Sequence, residues 1–128
     1  MSDPIVFISH HRIKEGKLEG FKQFYQQGSE LLRVNKPGTV VFLAYLDDDG
    51  TEVTIVHLFP DKQSMELHLQ GADDRSEAAY EFLEPVRFEV YGRAPDTFIE
   101  GMKQIDGLGV TLSITPQPLG GFIRLRSG

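Results

Sequence analysis

Four histidines, His10, His11, His57 and His68, are the only side chains here whose unperturbed pKa lies near neutrality, and the chain has no cysteine and no tryptophan. Acid–base or metal chemistry therefore has to be sought around them first. His68 shares a helical face with Met65 and Leu69 and should look toward a sheet. From there it could take a proton from a phenol or quinol, leaving a carbanion electron-rich enough to react with dioxygen without a cofactor. It could equally hydrogen-bond a backbone carbonyl and dock its helix. His57 lies in an apolar strand on the face that carries Ile55 and Phe59, so its ring must find a partner in a pocket or an interface. His10 and His11 point to opposite faces of one strand by alternation, so at most one of them can share a cavity with His57.

Tyr45 and Tyr80 could each offer a phenol to a bound ligand or serve as core rings with a wet hydroxyl. Arg87 and Arg93 flank a strand and fit surface ion pairs as well as an anionic substrate. The histidine spacing does not suit a metal, since His10 and His11 diverge and no His-x-x-x-His pair exists; Asp47-Asp48-Asp49 reads as a solvated hairpin tip. No cofactor is expected. Neither a phosphate-cradling glycine loop nor a G-x-S-x-G nucleophile turn is present.

These residues need elements to position them. Residues 5–13 read as a strand and 17–35 as a long amphipathic helix, ended by Lys36-Pro37-Gly38. Residues 39–46 and 51–59 form β-rich runs around Asp47-Asp48-Asp49-Gly50, a hairpin signature. Asp61 is placed to cap a short helix over 63–69, and Gly71-Ala72-Asp73 interrupts before helical spacing resumes over 76–84. Pro85 precedes a fourth strand, 86–91. The unit is βαββαβ, an α+β ferredoxin-like antiparallel sheet with its helices on one face, over 1–94. Residues 95–128 add a helix (95–104), a strand (107–115) and a final apolar segment (122–125, with Arg124 and Arg126 interleaved), packed on the same domain or on a partner subunit.

Composition narrows the partners. In 128 residues there are 13 Lys and Arg against 19 Asp and Glu, a net charge of -6, with the positives scattered, which disfavours nucleic acid. The apolar run 5–8 is far too short for a signal h-region or a membrane span, so a cytoplasmic location is expected. Alternation in the second and third strands leaves both sheet faces apolar: Val53, Ile55 and Phe59 against Thr54, Val56 and Leu58, and Phe42 and Ala44 against Val41, Leu43 and Tyr45. Helices on one face leave the other uncovered, and a second copy of the sheet is the simplest cover, giving a homodimer. The competing cover is the extension 95–128 folded back over its own sheet.

The chain over residues 5–91 resembles the antibiotic biosynthesis monooxygenase family of the dimeric α+β barrel superfamily. The resemblance rests on Gly16-Lys17 before the first helix, Phe21 within it, Lys36-Pro37-Gly38 leading into the second strand, and Asp61, Ser64 and His68 after the third. It implies a homodimer of ferredoxin-like subunits, each with a pocket between sheet and helices for a small, aromatic molecule. The activity implied is a cofactor-independent oxygenase with His68 as base and His11, Tyr45, His57 and Tyr80 as candidate pocket residues. Members often carry a Glu and a Trp two apart at the end of the third strand, where this chain has His57 and Phe59. A non-catalytic small-molecule-binding or assembly dimer would accommodate that exchange, and an oxygen-independent isomerase or decarboxylase would use the same pocket.

Overall fold

The structure is a computed structural model that describes residues 3–124. The strands β1 (Ile5–Ile13), β2 (Val41–Leu46), β3 (Glu52–Phe59), β4 (Leu83–Tyr91) and β5 (Thr111–Thr115) form one sheet in the order β2-β3-β1-β4-β5. The helices are α1 (Leu18–Asn35), α2 (Lys62–Leu69), α3 (Ala72–Ala79) and α4 (Asp96–Ile105). The first four strands pair antiparallel, as the βαββαβ reading requires. β5 joins β4 in parallel through the α4 crossover, so the complete sheet is mixed rather than antiparallel.

Strand parity assigns every side chain to a face. Phe42, His57, Phe7 and Val90 stand in one row across the sheet; Ala44, Ile55, Ser9 and Phe88 form the next. The helices cover this side through two apolar clusters. At one end Ile5, Phe59, Met65, Val90 and Ala94 pack with Phe98 and Ile99 of α4. At the other, Ile13, Phe21, Val53 and Leu83 pack with Leu18, Phe24 and Phe82. Each fully buried side chain of this size contributes about 1.5–3 kcal/mol. Because α4 lies on the helical side and β5 extends the edge, neither of these elements covers the opposite face. Leu125 and Arg126, the far end of the expected final segment, lie outside the described residues.

Three elements begin elsewhere than the sequence reading places them. The helix expected over 76–84 occupies Ala72–Ala79, because Gly71, with φ of 80°, makes the left-handed entry that starts it earlier. Leu83 belongs to β4, paired with Ile13, instead of to a helical face. Pro85 sits inside β4 at a bulge: His10 pairs with Arg87 and His11 with Pro85, leaving Val86 unopposed. β5 pairing begins only at Arg87, so no strand on that side needs an N–H from Pro85. Likewise the strand expected over 107–115 begins at Thr111, since Gly107 and Gly109, both at positive φ, build a turn closed by Gly107 N–H donating to the Val110 carbonyl at 2.9 Å. Among the described residues, no helix is long and apolar enough to cross a membrane.

Candidate functional site

Among the described residues, the buried polar side chains are Ser9, His11, His57 and His68. All four lie on the helical side, between the two apolar clusters. Ser9 and His11 follow Phe7 on β1, His57 faces Phe7 across the β1–β3 pair, and α2 lowers His68 onto them. The placement of α2 is set locally: Asp61 caps it by accepting the Ser64 N–H at 2.7 Å, which fixes where the turn carrying His68 begins. Its other end is held by cations on orphan carbonyls. Lys36 donates to the Leu67 carbonyl at 2.6 Å, and Arg75 donates to the carbonyls of His68 and Gln70.

The rings form one aromatic cluster. His57 and His68 meet edge to face at 5.5 Å, with Phe7 at 5.0 Å and Phe42 at 5.2 Å from His57, and Phe59 at 5.0 Å from His68. His11 sets its edge against Phe88 at 6.0 Å. Tyr25 stacks on Phe42 and donates its hydroxyl to the Phe42 carbonyl at 3.2 Å, which locks the outer wall. His57 Nδ1 donates to the Phe7 carbonyl at 3.0 Å, leaving Nε2 as the acceptor of the neutral ring. His68 Nδ1 lies 2.8 Å from Thr39 Oγ1. His11 Nδ1 is buried without a hydrogen-bond partner among the described residues.

Burial keeps all three rings neutral at pH 7. Desolvation, then the neighbouring His10, lowers His11 to about 4. Desolvation lowers His57 to about 4 against the opposing pull of its Phe7 bond. His68 falls to about 3 through desolvation, then the charges of His57, Arg75 and Lys36. Neutral imidazoles in an aromatic cluster can exchange hydrogen bonds with a phenolic ligand without the cost of a buried ion.

His11 shares the side of His57, and His10 the other. Tyr45 and Tyr80 do not join the cluster. Tyr45 stands on the opposite sheet face in the row Tyr45, Thr54, His10, Arg87, because it pairs with Thr54 on the edge strand. Tyr80 ends α3 beyond the second apolar cluster, its carbonyl accepting from Lys14 Nζ. On the outer face His10 contacts Glu89 at 2.6 Å and Thr54 at 3.2 Å, while Arg93 donates to Gln117. Asp47 ties the hairpin tip by accepting from Thr51 N–H and Oγ1 and from Glu52 N–H, which makes that aspartate a turn-builder. Among the described residues, no group of three or more His, Asp or Glu is placed to hold a metal.

Two residues that sequence reasoning missed are Thr39 and Phe42. Both line a groove of about 310 Å³ at the β2 edge beside α1, with Leu32 and Arg33 of the helix and with Val41 and Leu43, whose parity is that of the opposite sheet face. Phe42 was accessible through the hairpin, whose register sets it opposite His57. Nothing local pairs Thr39 with a histidine 29 positions away.

No protein-family model matches the chain, and no curated protein matches it in sequence. Solved structures do match in shape. MupZ from Pseudomonas fluorescens superposes with a TM-score of 0.66 at 19% identity, covering 94% of this chain and 91% of its own. SnoaB, a cofactor-independent oxygenase from Streptomyces nogalater, gives 0.60 at 12% identity, with 73% of this chain and 96% of its own covered. An antibiotic biosynthesis monooxygenase-like protein from Caulobacter crescentus gives 0.60 at 14%, covering 70% and 88%. The likeness to MupZ thus runs through most of the extension. The chain has the ferredoxin-like α+β fold of the antibiotic biosynthesis monooxygenase-like proteins, extended by a helix and a parallel edge strand.

Proposed function

We propose that this chain is a cofactor-independent oxygenase for a small aromatic, quinol-type substrate, working as a homodimer. The observation that carries the reading is the gathering of the buried polar groups into one belt of neutral histidines among phenylalanines, with a groove at its edge. SnoaB, whose fold the chain shares, is a cofactor-independent oxygenase.

His68 is the base. The substrate hydroxyl gives up its proton to His68, and the resulting anion passes an electron to dioxygen; the two radicals join as a carbon-bound peroxide anion, which takes the proton back from His68. For a substrate with a methylene at the reacting carbon, loss of water leaves a carbonyl. One oxygen atom remains in the product, the other leaves as water, and the substrate supplies all four electrons. Moving a proton from a phenol near 10 to an imidazole near 3 costs about 10 kcal/mol. That fits within the barrier of about 16 kcal/mol that corresponds to ten turnovers per second. Attraction between the new ion pair lowers the cost further.

A second reading, a non-catalytic binding dimer, is favoured by the low basicity and dense packing of His68. Oxygen uptake with a panel of hydroquinones separates the two. The oxygenase reading expects uptake by the wild type that falls at least about tenfold in His68→Ala. Absence of uptake, with the protein still stabilised thermally by an added phenol, establishes the binding dimer in its place.

A further inference from the structure

His68 is buried and is not among the groove-lining residues, whereas Thr39 lines the groove and holds His68 Nδ1 at 2.8 Å. A substrate lying in the groove therefore meets Thr39 before it meets the base. We propose that Thr39 relays the proton, accepting it from the groove-bound substrate hydroxyl while passing its own to His68 Nδ1.

The relay rests on the oxygenase reading and completes its first step. In the resting state Thr39 Oγ1 donates to the Nδ1 lone pair, so the neutral ring of His68 carries its proton on Nε2. One oxygen lone pair of Thr39 stays free to accept from the substrate. In the transfer, the substrate O–H bond breaks as a new O–H forms on Thr39, and the original Thr39 O–H breaks as N–H forms at Nδ1. The substrate leaves as an anion, Thr39 ends unchanged, and His68 gains one proton.

The surrounding structure holds this geometry. Gly38 comes so close to α2 that an added Cβ would lie 2.8 Å from Ser64 Oγ, and the Thr39 N–H donates to the Lys36 carbonyl at 3.0 Å. Thr39 is thereby fixed between two elements, its hydroxyl on the base and the residue itself at the groove wall. A threonine serving only to dock α2 would need no groove beside it.

The test compares wild type, Thr39→Ser, Thr39→Val and His68→Ala in oxygen uptake, with the ¹⁵N shifts of the His68 ring read in the wild type. Valine keeps the shape and loses the hydroxyl; serine keeps the hydroxyl. The expected result is an Nε2–H tautomer, a kcat at least about tenfold lower in Thr39→Val with KM within about threefold, and Thr39→Ser within about threefold of wild type. If uptake is lost in His68→Ala but survives in Thr39→Val, or if Nδ1 carries the proton, the relay is overturned and the oxygenase reading stands. If the wild type consumes no oxygen, both fall together.

Discussion

Three histidines held neutral by burial make the chain's stability depend on pH in a direction that can be worked out. Unfolded, they titrate near 6.5; folded, His11 and His57 titrate near 4 and His68 near 3. Between those limits the unfolded chain binds more protons, so stability is complete above 6.5 and drains away as pH falls. Each histidine contributes a slope approaching about 1.4 kcal/mol per pH unit. Urea denaturation from pH 7 to 5, above the range where carboxylates titrate, isolates this effect. His11→Phe should leave stability at pH 7 equal or about 1 kcal/mol higher, since it removes an unpaired buried nitrogen, and should flatten the pH dependence. Curves that run parallel would show that His11 is not a buried neutral ring. The candidate histidines were legible as residue types; their convergence was not. Parity separates His10 from His11, but which face receives helices is decided by long-range packing.

At the scale of elements, the loop from α1 to β2 and the helix α2 act as one positioning unit. Gly38 permits their contact, and the contact sets Thr39 on His68. Gly38→Val should push the loop off Ser64, lowering stability by about 1–3 kcal/mol in urea denaturation. Pairing Gly38→Ala with Ser64→Gly should recover most of the stability lost by Gly38→Ala alone, because the added Cβ then meets only the backbone Cα of residue 64, at an ordinary 3.5 Å; failure to recover would place the strain elsewhere. Most elements could be read from the sequence because their signals are local: the Asp61 cap, the Asp47-Asp48-Asp49-Gly50 tip, and the period of α1. The errors fell where tertiary pairing outweighed local spacing. Leu83 fits a helical stripe but is taken by Ile13 across the sheet, and Pro85 reads as a strand boundary but is absorbed by a bulge. The position of Tyr45 is set in the same way, as edge-strand register sends it away from the histidines.

For the whole molecule, the outer sheet face divides in two. Over β2, β3 and β1 it presents Val41, Leu43, Tyr45, Val56, Leu58, Val6 and Ile8; over β4 and β5 it turns polar, with Glu89, Tyr91, Ser113 and Thr115. We propose that a second copy covers the apolar half. Sedimentation at micromolar concentration should return twice the 14.4 kDa chain mass, and Val56→Glu should return the single mass with its fold intact by circular dichroism. A monomeric wild type would remove the dimer while leaving the histidine belt untouched, because the two lie on opposite sides of the sheet. The central claim is that the belt, not the outer face, receives an aromatic ligand. Its most direct test is chemical-shift mapping during titration with 2-naphthol, an aromatic alcohol that need not react. Shifts should concentrate on Thr39, Phe42 and His68; shifts confined to Tyr45, Val56 and their neighbours, or none at all, would contradict it.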